Sequence, residues 1–337
     1  MARAKVLVVG GAGYIGSSTA RALLQAGHDV VTYDDLSTGY RDAVVTDLIV
    51  GDVRDTARLR EVLSAGRFDA VLHFAARIAV GESVRLPVSY YGVNVGGSLS
   101  LVEAMAATGV RNIVFSSSAA VYGDPKLVPI PEDQPHAPMS PYGHSKAMVE
   151  QLLSDVRAEG FRVACMRYFN ASGAQPDGSM GEAHHPETHL IPLAIAAAQG
   201  RRPPLDVFGD DYETRDGTCV RDYIHVVDLA RAHVEAVHAL LDGSPGAAWN
   251  VGTGTGITVR EVLDAVGAEV GSPVPHRVVE RRPGDPACLV ADPSRIQREL
   301  GWRAELSDLN TIVQTATRWA AAPRYGAAAQ TQGLAAR

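Results

Sequence analysis

A doubly wound α/β fold around a parallel sheet is predicted by three observations. Short apolar runs alternate with helix-patterned segments through the first half of the chain. A glycine triplet sits where the first run gives way to the first helix, and a carboxylate closes the second run.

Lys5-Val-Leu-Val-Val9 has the unbroken apolar character of a strand covered on both faces. Gly10-Gly-Ala-Gly13-Tyr14-Ile15-Gly16 follows at once, and a helical pattern through Ala20, Leu23 and Leu24 ends at Gly27. Glycines in this spacing let backbone N–H groups approach a pyrophosphate, which then rests at the positive end of the helix. The second strand, Val30 to Tyr33, ends in Asp34, eighteen positions after Gly16. A carboxylate there accepts hydrogen bonds from both hydroxyls of an adenosine ribose and repels a 2′-phosphate. No arginine stands beside it, so the expected cofactor is NAD rather than NADP, on a Rossmann-type sheet.

The alternation continues with Leu48–Val50 and its loop Gly51-Asp52-Val53, a helix over Arg58–Leu63, and a strand from Ala70 to Phe74 that runs into Ala75-Ala76-Arg77. A long helix over Pro87–Ala107 carries Asn94, and Asn112–Ser116 and Arg162–Tyr168 supply the fifth and sixth strands. A doubly wound sheet binds its ligand at the carboxyl ends of its strands, where Asp52, Phe74 and Ser116-Ser-Ser118 all fall. The segment after Ser118 holds Pro125, Pro129, Pro131, Pro135 and Pro138, and is long enough to be read as a cover over a site. In Ser140-Pro-Tyr142-Gly-His-Ser-Lys146, Ser140 suits a helix cap and Pro141 the first helical position. Tyr142 and Lys146 then share one helix face. An ammonium beside a phenol favours the phenolate, so Tyr142 is expected to have a lowered pKa and to serve as a proton acceptor.

Composition narrows the setting. The chain has 337 residues, 46% hydrophobic and 20% charged, with a net charge of -7. That balance argues against a nucleic-acid face. Cys165, Cys219 and Cys288 are scattered without metal-ligand spacing, which fits a reducing, cytoplasmic compartment. Arg3 and Lys5 precede an apolar run, but glycines interrupt it, so neither a signal peptide nor a membrane span is expected.

After Asn170 the regular alternation stops. The division expected is an NAD-binding domain over 1–170, a smaller C-terminal α/β substrate domain over 171–322 partly interleaved with it, and a loose Ala/Gln/Gly-rich tail over 323–337, with periodicity lost from Ala320 onward. In Gly181-Glu-Ala-His-His-Pro-Glu-Thr-His189, His185 and His189 are four apart. Pro186 between them disfavours a shared helix and no further ligand is evident, so no metal is expected. Arg201, Arg202, Arg221, Arg281 and Arg282 are candidate phosphate partners, since guanidinium binds such oxygens in pairs. Thr258-x-x-Glu261 reads as a capping box, so the glycines of Asn250–Gly256 are a strand exit and turn rather than a second nucleotide loop.

The glycine triplet, a serine after the fifth strand and Tyr-x-x-x-Lys, in that order, resemble the extended short-chain dehydrogenase/reductase superfamily. Longer strings, Val80-Gly-Glu-Ser-Val84, Phe115-Ser-Ser-Ser118 with Val121-Tyr-Gly123, Arg167-Tyr-Phe-Asn170 and Val220-Arg-Asp-Tyr-Ile-His225, resemble the UDP-glucose 4-epimerase family, and the likeness runs from about residue 5 to about residue 320. The resemblance implies that UDP-galactose and UDP-glucose are interconverted by transient oxidation at C4, with Tyr142 as base, Lys146 supporting it and Ser118 relaying the proton. It implies cofactor contacts from Gly10, Gly13, Tyr14, Ile15, Gly16, Asp34, Asp35, Leu36, Ser37, Thr38, Gly39, Asp52, Val53, Phe74, Ala75, Ala76, Arg77, Asn94, Ser116, Tyr142, Lys146 and Phe169. It assigns the substrate to Ser118, Tyr142, Asn170, His189, Leu190, Phe208, Arg221, Arg282, Asp285 and Leu289. A homodimer packed through the Pro87–Ala107 and Tyr142 helices is implied as well. Arg77 stands where such enzymes often carry lysine, and Leu289 stands where residue size decides whether an N-acetyl group fits, so UDP-GlcNAc/GalNAc, UDP-pentoses and UDP-glucuronate stay open as substrates. A 4,6-dehydratase needs an acid pair where this chain has Ala119-Ala120. A non-catalytic NAD(H) sensor of the same fold tends to lack the tyrosine or lysine kept here.

Overall fold

The computed structural model describes residues 3–326 apart from Pro283. In chain order it contains β1 (Lys5–Val9), α1 (Tyr14–Gln25), β2 (Asp29–Asp34), β3 (Asp47–Val50), α2 (Thr56–Gly66) and β4 (Ala70–His73). Next come α3 (Val80–Arg85), α4 (Pro87–Tyr90), α5 (Gly97–Thr108), β5 (Asn112–Ser118), α6 (Pro141–Asp155), β6 (Arg162–Tyr168) and β7 (Asn170–Ser172). The remainder holds α7 (Leu190–Ala198), β8 (Leu205–Phe208), β9 (Val220–His225), α8 (Val226–Leu241), β10 (Ala248–Val251), β11 (Gly256–Thr258) and α9 (Val259–Val270). It closes with β12 (His276–Val279), β13 (Cys288–Leu289), α10 (Ser294–Leu300) and α11 (Leu309–Ala321).

Seven parallel strands form the main sheet in the order β10-β6-β5-β4-β1-β2-β3. Both faces are covered, which explains the unbroken apolar strands. Leu7 and Val9 of β1 pack with Leu59 and Leu63 of α2, Leu101 and Met105 of α5, and Leu153 of α6. Val6 and Val8, pointing the other way, pack with Leu23 of α1 and with Leu229 and Val237 of α8. The strand order reverses beside β1, between β4 and β2, and the glycine loop lies at that switch point.

The seventh strand, β10, comes from beyond residue 240, where the sequence pattern suggested only a strand exit. It reaches the sheet after α8, whose buried Val226, Leu229, Val237 and Leu240 form one long apolar face. A second layer is built from β7, β9, β11 and β13, the pair β8–β12, and helices α7, α9 and α11 around Ile191, Val207, Tyr223, Val266 and Ile312. The helix expected over Pro87–Ala107 is continuous but not uniform: Tyr91–Gly96 is a π-helical turn, and Asn94 lies in it. Such turns are rare and re-aim a side chain from the regular helix face.

The chain after Ala320 is anchored further than its composition suggests. Tyr325 is 5% exposed, stacks on Tyr40 and exchanges hydrogen bonds with Gly181. The rest of the expected tail, 327–337, lies outside the described residues. No helix among the described residues is long and apolar enough to cross a membrane.

Candidate active site

Two glycines of the first loop are needed by close approach. Gly10 has φ +85, and a Cβ on it would sit 2.3 Å from the Ala75 nitrogen. On Gly16 a Cβ would lie 2.2 Å from the Gly10 carbonyl oxygen. Gly13 differs, because its Cβ would meet only that same oxygen at 3.6 Å, so this side of the loop is open. Gly13 is also the N-cap of α1 without a side-chain cap, which leaves the first N–H groups of the helix free for an anion. Asp34 is 8% exposed, and its carboxylate accepts from the Ala12 N–H at 2.9 Å and the Leu36 N–H at 2.8 Å. Burial pushes its pKa up while these two donors pull it down. A carboxylate has about four acceptor positions, so two remain for ribose hydroxyls. The residues therefore fit a dinucleotide. Asp35 accepts from the Ser37 N–H at 2.8 Å, and the Tyr40 N–H donates to the Ala12 carbonyl at 3.0 Å, folding the Leu36–Gly39 turn and its Thr38 onto the glycine loop.

Gly16→Ala is expected to abolish retention of the cofactor through purification, because the added methyl displaces the Gly10 carbonyl and with it the loop. Absorbance of the released nucleotide checks this, and full retention would refute the packing argument.

Several expected cofactor residues act through backbone or have side chains engaged elsewhere. Tyr14 donates its hydroxyl to the Gly173 carbonyl at 2.6 Å, and Ile15 packs into the core beside α8. Asp52 is paired with Arg54, which holds its carboxyl below the usual range, and Val53 is buried. Arg77 turns its guanidinium to Glu82 at 3.3 Å. Its backbone is clamped by Asn94, whose Oδ1 accepts from Arg77 N at 2.8 Å and whose Nδ2 donates to Arg77 O at 3.0 Å and to Ser145 Oγ at 2.9 Å. Ser145, which the sequence reading passed over, in turn donates to the Tyr142 carbonyl at 2.7 Å. The π-helical turn thus links the Phe74–Arg77 loop to the start of α6.

Ser140 accepts from the Gly143 N–H at 3.2 Å and Pro141 begins α6, as its sequence signature requires. A Cβ on Gly143 would stand 2.6 Å from the Ala120 carbonyl oxygen, so the helix rests directly on the chain leaving β5. Ser118, at the end of β5, accepts from the Ala120 N–H at 3.1 Å and lies near enough to the Tyr142 phenol to draw its pKa down. Lys146 is 2% exposed, donates to the Ser116 carbonyl at 2.6 Å and lies 4.8 Å from the Phe115 ring centre and 5.9 Å from that of Tyr142. The expected lowering of the Tyr142 pKa by Lys146 does not emerge. Burial pushes the phenol up and the Ser118 hydrogen bond pulls it back, while burial brings Lys146 down to about 7 against the pull of Glu150. In this water-poor setting desolvation outweighs the ammonium–phenol attraction.

On the facing side, Leu289 is in register with Arg221 and packs with Ala119, Val121, Ile130 and Phe169, beside the chain that follows Ser118. Asn170 donates to the Asp222 carbonyl at 2.9 Å. Arg221 is paired with Asp285, and Arg282 lies over the Phe208 ring at 3.7 Å, so residues given separate roles from sequence form two pairs. Arg281 is committed to Asp211 and Arg201 to Gln199. His189 caps α7, whose first residue is Leu190. His184, not His185, is brought to His189, together with Glu182 and Glu187. The expectation that no further potential ligand stands nearby is therefore corrected, because the loop folds back on itself.

Comparison with known proteins identifies the family and the fold. The model of the NAD dependent epimerase/dehydratase family matches residues 6–252. A UDP-glucose 4-epimerase of Rhizobium leguminosarum bv. trifolii is 51% identical over 321 residues, 95% of this chain and 98% of the relative. One from Azospirillum brasilense is 49% identical over 318 residues, covering 94% of this chain and 91% of the relative. Among solved structures, UDP-glucose 4-epimerase from Brucella ovis in complex with NAD has a TM-score of 0.91 at 51% identity, covering 94% of this chain and 98% of that one. The enzyme from Bifidobacterium longum in complex with NAD+ and UDP gives 0.90 at 40% identity, again with 94% and 98% covered. Sharing a fold and close to half of its residues with such enzymes over nearly its whole length, the chain belongs to the NAD dependent epimerase/dehydratase family.

Proposed function

We propose that this chain is a UDP-glucose 4-epimerase that interconverts UDP-galactose and UDP-glucose with NAD. The observation that carries the reading is the buried pair Tyr142 and Lys146 at the head of α6, the lysine fixed to the Ser116 carbonyl of β5 two residues before Ser118, on the same sheet as the glycine loop that fits a dinucleotide. Bound in the glycine-loop cradle, NAD would supply reversible hydride acceptance at the sugar C4. The residues do the rest. Tyr142 takes the C4 hydroxyl proton and gives it back, and Ser118 hydrogen-bonds the reacting oxygen and relays the proton. Lys146 would hold the nicotinamide ribose and, as a cation near Tyr142, help favour the phenolate. Arg221 and Arg282 take the diphosphate, Asp285 the uridine ribose, and the segment of Phe208 faces the uracil. Ala119 and Ala120 leave no acid to expel water, which disfavours a dehydratase.

Two finer features belong to the same proposal. Val84, Val88, Leu99 and Met148 expose apolar side chains on α3, α4, α5 and α6, and Val88 is 83% exposed, which supports a homodimer packed through these helices. The free cysteines support a reducing, cytoplasmic site of action, and a place in galactose metabolism follows from the proposed interconversion of UDP-galactose and UDP-glucose. A division of labour near residue 170 belongs to the same proposal, with Ser118 and Tyr142 serving the sugar from the cofactor side and β10 returning to the main sheet from the other.

The decisive experiment incubates the purified chain with UDP-galactose and no added NAD, and UDP-glucose is expected to form on cofactor carried through purification. No conversion with or without NAD would sink the assignment. Parallel reactions with UDP-GalNAc, UDP-xylose and UDP-glucuronate rank the sugars that the wall at Leu289 admits.

A further inference from the structure

Outside the reacting centre, the loop ahead of α7 gathers two carboxylates and two imidazoles. One donor atom from each of Glu182, His184, Glu187 and His189 lies within 4.8 Å of the others. His184 Nδ1 is 3.1 Å from Glu182 Oε1 and 3.7 Å from Glu187 Oε1, while His189 Nδ1 is 3.5 Å from Glu187 Oε1 and in direct contact with Glu182. Tetrahedral donors at about 2.1 Å from a zinc ion stand about 3.4 Å from one another. The observed spacings bracket that value.

Three further observations suit this cluster to a metal ion. His184 Nδ1 is buried and makes no well-formed hydrogen bond, although it faces the Glu182 carboxylate. Its Nδ1 thus faces into the cluster. Among the described residues neither carboxylate pairs with lysine or arginine, and the Glu182 side chain is only 5% exposed. The buried Glu182 carboxylate, with Glu187 partly exposed beside it, calls for a positive charge in the cluster, from protons on the imidazoles or from a cation. The loop that carries the donors is also fixed in shape. Glu187 Oε1 accepts from the N–H groups of Thr188 at 2.7 Å and His189 at 2.9 Å, and Trp319 Nε1 donates to the Glu182 carbonyl at 2.7 Å.

We propose that Glu182, His184, Glu187 and His189 bind one divalent transition-metal ion. Zinc is the best match to two imidazoles and two carboxylates, whereas magnesium and calcium prefer all-oxygen shells. Four protein ligands make the site structural. Its ion fastens the head of α7, capped by His189, to the glycine loop, since His184 meets the Tyr14 ring edge-on at 6.3 Å. His189, a residue the resemblance assigns to the substrate, gives its Nδ1 to the ion instead.

The test uses the full chain with its bound cofactor, stripped with a chelator and titrated with zinc alone in competition with a chromophoric chelator. One equivalent per chain is expected, with a raised unfolding temperature. His184→Gln and Glu187→Gln should each weaken zinc binding more than about tenfold while retaining NAD, which reports that they fold. Cobalt(II) on the unaltered chain should show the intense visible absorption of a tetrahedral site, a readout that needs no variant. The proposal is overturned if the unaltered chain takes up no zinc at equimolar concentration. It is equally overturned if both variants bind zinc as tightly as the parent, or if cobalt gives only the weak spectrum of an octahedral ion.

Discussion

Tyr142→Phe should lower turnover of UDP-galactose by roughly 10²–10⁴-fold, the usual worth of a positioned proton-transfer group, while leaving UDP binding and the bound cofactor intact. The substitution removes one oxygen. It leaves the Ser140 cap, Pro141 and the Ser145 hydrogen bond to the Tyr142 carbonyl, so the start of α6 keeps its shape. Lys146 also keeps its place, because its ammonium is held by the Ser116 carbonyl and not by the phenol. A selective loss in kcat, with UDP affinity by calorimetry unchanged, is therefore the expected pattern. An unimpaired variant would remove Tyr142 from the chemistry. Ser118→Ala should cost less, since Ser118 relays and orients a proton that Tyr142 accepts.

What the sequence made legible follows from the range over which each feature is determined. The glycine loop, Asp34, the capped start of α6 and the Thr258–Glu261 capping box are local: a few neighbouring residues dictate each backbone path, and the structure reproduces them. Tyr142 and Lys146 could be placed on one face because helix geometry fixes a four-residue spacing. The state of those groups could not be read the same way, because burial, which raises the one pKa and lowers the other, is set by the whole fold. The missed features are long-range. β10 joins the sheet from 80 positions beyond β6, with Ala248 in register with Cys165, and no local pattern announces that pairing. Asn94 was visible, but its link to Ser145 depends on a π-helical turn that periodicity cannot distinguish from a regular helix. His185 was chosen over His184 because spacing was counted along the chain, whereas the loop's fold decides which imidazole turns toward Glu182.

The largest effect on stability is expected at a pair that carries no sequence signature. Arg167 on β6 and Glu150 on α6 are 6% and 7% exposed, and the guanidinium reaches both carboxylate oxygens, with Nη2 to Oε2 at 2.6 Å. Ser117 also donates to Glu150, and Arg167 Nη1 donates to the Tyr122 hydroxyl at 2.8 Å and the Glu132 carbonyl at 2.9 Å. Removing one partner leaves a buried charge without compensation, which costs about 3–5 kcal/mol. Arg167→Leu or Glu150→Leu should accordingly lower the midpoint of thermal unfolding by roughly 6–20 °C. The double variant should lose less than the sum of the two, and less than either alone if the apolar pair packs. Of the groups left behind, Tyr122 keeps its hydrogen bond to Asn250 Oδ1 at 2.7 Å. Strictly additive losses in a double-mutant cycle would contradict the pairing. The single variants should also impair turnover, for two reasons that the geometry separates. Arg167 pins the proline-rich cover through Glu132, so its loss loosens the chain between Ser118 and Ser140. Glu150 lies one turn from Lys146 and supports its protonated form, so its loss leaves that lysine more readily neutral and the Tyr142 phenolate less well compensated. Rescue of activity by Arg167→Lys but not by Arg167→Leu would favour the first route, because a lysine can still reach the Glu132 carbonyl while forfeiting the bidentate grip on Glu150.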